Sequence, residues 1–188
     1  MLSRKKFFLM AISTLLGFGA LGLIIIHFFH DQTIRQALGG ELNLLWQIIL
    51  GSGYGVIIGL MAMALVKQPF LKSTRRFFSD LIVDLNLSWI EIFFISFCAG
   101  VGEELFFRGG IQPLIGVWIT SILFVALHGY LNPKNWRISV YGLFMTLAIA
   151  GLGYLMIYFG ITSAMAAHMF IDVILLAFLA RKIDFQKN

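Results

Sequence analysis

The chain has 188 residues, 60% hydrophobic and 12% charged, with a mean hydropathy of +0.91. A soluble domain of this size carries about a quarter charged residues and keeps much of its surface in water, so the composition excludes a soluble globular fold, a disordered chain and a nucleic-acid module. One cysteine excludes a disulfide framework, and the formal charge of +5 reads as cations flanking apolar runs in an integral membrane protein.

Six apolar segments follow one another, at about 7–29, 44–66, 87–107, 116–131, 138–159 and 162–180. A hydrocarbon core of ~30 Å needs about 20 helical residues, so all but the fourth are long enough to cross. In lipid every backbone polar group must be satisfied within the protein, which makes runs of this length helical. The first follows Arg4-Lys5-Lys6 but is longer than a signal-peptide core and lacks a small-residue cleavage site, so it reads as a retained helix. In the second, Gly51, Gly55 and Gly59 recur every fourth residue, a spacing that lets two membrane helices approach closely. Between the second and third, 67–86 mixes Arg75 and Arg76 with Phe77, Phe78, Leu81 and Ile82, as an interfacial amphipathic helix would. Trp46, Trp89, Trp118, Trp136 and Tyr130 lie near segment ends and read as interfacial anchors, and Cys98 as packing.

Six crossings place Arg4, Lys5, Lys6, Lys67, Lys72, Arg75, Arg76, Lys134, Arg137, Arg181, Lys182 and Lys187 on the N-terminal side, and Arg35 and Arg108 on the other. That asymmetry predicts a cell-membrane protein with both termini cytoplasmic. The organisation is a single membrane domain over 1–188 with its motif-bearing core at about 87–180.

Ionisable side chains inside apolar segments are costly and mark function by default. They are Glu91, Glu103, Glu104, Arg108, His128, His168 and Asp172. In Glu103-Glu104-Leu105-Phe106-Phe107-Arg108, Glu104 and Arg108 are four apart on a helix and share a face, so they can pair. Glu103 is turned about 100° away. Desolvated and without a cation of its own, it suits a general base. The same residues could instead mark a helix end with Arg108 snorkelling. His168 and Asp172 lie one helical turn apart on one face and could bind a metal, orient a water or hold an oxyanion. His128 is ambiguous alone, His27 and His30 read as solvated, and Glu91 as snorkelling. Three helices converging on one wet cavity would hold all of the intramembrane groups.

Glu103-Glu104-x3-Arg108, Phe124-x3-His128 and His168-x3-Asp172, in that order, resemble the three motifs of the CPBP (Abi) intramembrane protease family. That family includes the type II CAAX prenyl endopeptidases and proteins tied to bacteriocin processing or self-immunity. The resemblance covers about 91–176. It implies that Glu103 with His128 activates a water against a peptide carbonyl, that His168 and Asp172 stabilise the oxyanion or complete the water site, and that Glu104–Arg108 is a structural ion pair supporting the base. The last motif position varies between Asn and Asp in the family. If a neutral donor is needed there, Asp172 must be protonated or act as a ligand or orienter. Glu103, His128 and His168 would also make a three-ligand zinc site with an open position, but the same groups suffice without a metal, and no obligatory cofactor is expected.

The expectation is therefore an all-α integral membrane protein of about six transmembrane helices around an intramembrane polar cavity, acting as an intramembrane endopeptidase. Its partners would be a peptide or membrane-protein substrate and the bilayer, with no nucleic acid. The alternatives are a non-catalytic immunity or scaffold protein, and a proton-coupled transporter. Simple up-and-down threading conflicts with a shared site, because it separates Glu103 and His128 in depth by roughly 15 Å. Either a break at Gly109-Gly110-Ile111-Gln112-Pro113 or an extra partial crossing by 67–86 would relieve the conflict.

Overall fold

The structure, a computed structural model, describes residues 3–31 and 33–180. Arg181, Lys182 and Lys187, three of the expected cytoplasmic cations, lie outside the described residues. Within them the fold is all helical, with seven principal helices and no strand.

Helix α1, Arg4–Phe29, starts on the side chain of Ser3, which accepts from the Lys6 N–H, and widens into π turns at Thr14–Phe18. Helix α2, Leu44–Val66, is capped by Asn43, whose side chain accepts from the Trp46 N–H at 3.1 Å. Helix α3, Lys72–Ile82, has Ser79 and Ile82 buried and Phe77 exposed, and ends where Asn86 turns left-handed at φ 47. It is the amphipathic helix expected within 67–86. Helix α4, Trp89–Glu104, begins with a capping box in which Ser88 and Glu91 bond each other's backbone N–H. Glu91 also pairs with Arg4, tying the starts of α1 and α4 together. Helix α5, Val117–Leu127, is followed by a turn and then by α6, Trp136–Phe159, and α7, Ile161–Leu179.

Four helices, α1, α2, α6 and α7, are long and apolar enough to cross a bilayer. Their outward side chains are apolar, as with Leu16, Ile57 and Leu147, each more than half exposed, an arrangement that suits a lipid solvent. Small residues bring α2 and α7 together. A Cβ on Gly51 or Gly55 would collide with the carbonyls of Ser163 or Ala167, and one on Gly59 with Ile174. Gly22 of α1 likewise lies against the backbone of Leu105. Helix α7 is thus the centre of the fold, with Ala164, Ala167 and Ile171 in the core beside Val125, Ile149 and Leu152.

Two expectations need correction, and together they remove the threading conflict. The third segment does not end at Phe107. From Glu104 the chain continues as π-helical turns, Leu105–Ile111, and a last turn, Gln112–Ile115, so there is no break at Gly109-Gly110. The break falls at Gly116, whose φ of 83 only glycine adopts freely. Secondly, α5 is 11 residues long and rises about 16 Å, half of a hydrocarbon core. Glu103 lies 12 residues before Ile115 and His128 12 residues after Gly116, so each sits about 18 Å from the same turn by helical rise. A full helix and a half-length one meet at the same depth. The non-helical backbone after His128 then lies where it lines a cavity, the one setting in which a membrane interior tolerates it.

Candidate active site

Glu104 and Arg108 are both fully buried, and Arg108 Nε lies 3.0 Å from Glu104 Oε2. Arg108 Nη2 also donates to the Ile149 carbonyl at 3.4 Å, and the guanidinium lies 5.5 Å from the ring centre of Phe124. Arg108, assigned by threading to the outer side, is therefore part of the core. The π turns that carry it leave backbone groups to satisfy. His30 Nε2 donates to one of these, the Gly110 carbonyl, at 2.9 Å. His30 read as solvated in the sequence. π-Helical turns inside α-helices are frequent at functional sites.

The second carboxylate oxygen of Glu104 accepts from His168 Nδ1 at 2.9 Å. Beyond Arg108, the direct contact of Glu104 is thus with His168, an arm that the sequence pattern did not indicate. The hydrogen bond fixes the imidazole ring and turns Nε2 towards Asp172, 3.7 Å from its Oδ2.

The spacing of Phe124 and His128 has a local explanation. His128 follows α5 as its cap, its Nδ1–H donates to the Phe124 carbonyl at 2.7 Å, and the two rings stack at 4.3 Å. With Nδ1 carrying the proton, Nε2 of the neutral ring is an acceptor. It lies 3.5 Å from Glu103 Oε2, which has no hydrogen-bond partner among the described residues. Two acceptors held this close call for a donor between them, and one water with two O–H groups can serve both. Phe124 is the hub of the arrangement, because its ring also meets His168 at 5.5 Å and Phe107 at 4.9 Å.

Glu103, His128, His168 and Asp172 line a single cavity of about 260 Å³. Its polar end is these four with Tyr130 and Tyr141. Its other walls are apolar, formed by Leu71, Phe78 and Ile82 from the α3 region and by Leu175, Leu176 and Leu179 of α7. Tyr130, read from its place in the sequence as an interfacial anchor, faces this cavity because the half-length helix before it stops at mid-depth. Glu91 lies apart from the site as a helix cap. Among the described residues no three His, Cys, Asp or Glu side chains are grouped as a metal site, and both nitrogens of His168 already face carboxylates. The zinc set of Glu103, His128 and His168 is thus not preassembled among the described residues, and the proposed reaction is written without a metal.

Residues 85–174 match the family model described as type II CAAX prenyl endopeptidase Rce1-like. The matched stretch contains Glu103, Glu104, Arg108, His128, His168 and Asp172. No curated protein and no solved structure matches the chain.

Proposed function

We propose that this multi-pass membrane protein is an endopeptidase whose water is activated by Glu103 and His128, a reading supported by the match of residues 85–174 to the Rce1-like type II CAAX prenyl endopeptidase family model. The observation that carries the reading is the pair of facing acceptors, Glu103 Oε2 and His128 Nε2, on one cavity with His168 and Asp172. A water donating to both presents its lone pair to the cavity. As it attacks a peptide carbonyl, Glu103 takes its proton and the carbonyl oxygen becomes an oxyanion. The proton then passes from Glu103 to the departing amine, the C–N bond breaks, and a carboxylic acid and an amine remain, the acid giving up its proton on release. His168, oriented by Glu104 and Arg108, faces the cavity from the opposite helix and serves the oxyanion. A positioned base typically supplies about 10²–10⁴ in rate.

The substrate is a peptide or the tail of a membrane-associated protein, and the apolar walls beyond the polar end suit a hydrophobic or lipidated segment. Helix α3 carries Lys72 and Arg76 beside Arg137 of α6 on one groove. This puts the cationic side of the protein together and supports cytoplasmic termini by the positive-inside rule. The test is a comparison of membrane-protein termini in cells expressing the wild type or Glu103→Ala at equal levels. New termini present only with the wild type support the reading. Identical termini would leave a membrane immunity or scaffold protein in its place.

A further inference from the structure

The reaction proposed above needs more than one hydrogen-bond donor at the oxyanion, and the last motif position does not supply one. Asp172 faces His168 Nε2 at 3.7 Å, and in that pairing its carboxylate is an acceptor. An amide at the same position would have offered an N–H. The cavity wall does hold a donor with nothing else to bond. Tyr130 follows Gly129 and is held on both sides. Its N–H donates to the Val125 carbonyl at 3.2 Å, and its own carbonyl packs so closely on Gly142 that a Cβ there would collide with it. Its ring is fixed by three others, His128 at 5.9 Å, Phe78 at 6.1 Å and Tyr141 at 5.1 Å. Among the described residues its hydroxyl has no hydrogen-bond partner, and it shares the cavity with the Asp172 and Glu103 carboxylates. Tyr130 is only partly buried, so its hydroxyl stays open towards the cavity. It lies on the wall of the cavity where the reaction would occur.

We infer that the Tyr130 hydroxyl is a further catalytic group, donating a hydrogen bond to the oxyanion of the tetrahedral intermediate beside His168. It takes the place of the donor that Asp172 does not provide. Being locked by its backbone and by three rings before substrate arrives, it needs no reorganisation as charge develops, which is the condition for an effective oxyanion donor. Tyr141 supports the Tyr130 ring.

The inference rests on the endopeptidase reading, so its test carries both. Purified wild type, Glu103→Gln, Tyr130→Phe and Tyr141→Phe are reconstituted in phospholipid vesicles and assayed with an internally quenched peptide library. Binding is then measured for the best-cleaved sequence as an uncleavable reduced-amide peptide and as a trifluoromethyl ketone, whose hydrate mimics the tetrahedral intermediate. Tyr130→Phe loses no protein hydrogen bond and should fold as the wild type does. Its kcat should fall by about 10²–10³ with KM nearly unchanged. Affinity for the ketone should fall in parallel, while affinity for the reduced-amide peptide holds. Tyr141→Phe changes the other hydroxyl on this wall and should lose less than Tyr130→Phe does; an equal or larger loss of kcat and ketone affinity would move the donor to Tyr141 and overturn the assignment. Wild-type activity abolished by Glu103→Gln but untouched by Tyr130→Phe would overturn this inference alone. A parallel loss of reduced-amide and ketone binding in Tyr130→Phe would make the residue structural and overturn it too. Absence of cleavage by the wild type, or retention of it by Glu103→Gln, would overturn the endopeptidase reading and this inference with it.

Discussion

Replacing Arg108 by Ala separates the structural part of the site from its chemistry. The guanidinium is fully buried, pairs with Glu104 at 3.0 Å, reaches the Ile149 carbonyl and lies on the Phe124 ring. Its removal strands a carboxylate whose remaining partner is His168 and opens a void beside Phe124. Breaking a buried ion pair in this way costs about 3–5 kcal/mol. For a chain of this size each kcal/mol moves the melting temperature by about 2–4 °C, so the expected drop is about 6–20 °C. Glu103→Gln is nearly isosteric and removes no hydrogen bond at Oε2, so its cost should stay within about 1 kcal/mol. The assay is thermal unfolding of both variants in one detergent, followed by tryptophan fluorescence. A second comparison guards against a general packing effect. Arg108→Met with Glu104→Gln should melt higher than Arg108→Met alone, because no charge is left stranded. Equal melting of Arg108→Ala and Glu103→Gln would refute the argument that the Glu104–Arg108 pair anchors the site.

The other predictions concern packing, orientation and cofactor use. Gly55→Val should sharply reduce the yield of folded protein, since its side chain meets the Ala167 backbone, whereas Gly53→Ala, with nothing within 4 Å, should be neutral; size-exclusion profiles distinguish the two. Phe124→Leu removes the rings' stack on His128 and the face under Arg108, and should lower kcat by about ten-fold or more through loss of orientation, measured beside a circular-dichroism control for folding. Chelation with phenanthroline or EDTA should leave turnover in vesicles unchanged; loss that zinc restores would replace the glutamate–histidine water mechanism with a metal-assisted one.

Much of the site was legible in the sequence because intramembrane charge is rare enough to be informative one residue at a time. Glu103, Glu104, Arg108, His128, His168 and Asp172 stood out against apolar runs, and the i,i+4 spacing of Glu104 and Arg108 placed them on one face. The boundary of α4 was not legible for the same reason. Arg108 interrupts the hydropathy pattern, yet the helix runs on, because Glu104 neutralises it within the protein. That misplaced boundary, together with a fourth segment read as longer than α5 is, generated the depth conflict between Glu103 and His128. The bond from His168 to Glu104 spans 64 residues, and no local spacing encodes it. The stripe of Gly51, Gly55 and Gly59 announced the α2–α7 contact. The equally close approach at Gly22 carries no repeat and went unseen. Tyr130 was misread because an aromatic residue near a segment end sits at the interface only if the segment crosses completely, and α5 does not.

The most direct measurement follows the water itself. Wild type and Glu103→Gln, reconstituted at equal amounts in vesicles, are incubated with the cleavable peptide in heavy-oxygen water, and products are read by mass spectrometry. One heavy oxygen should appear in the new C-terminal carboxylate from the wild type, and no cleaved product should form with Glu103→Gln. Labelled product formed by Glu103→Gln at the wild-type rate would contradict this mechanism, because the water would then be activated without the residue placed beside it.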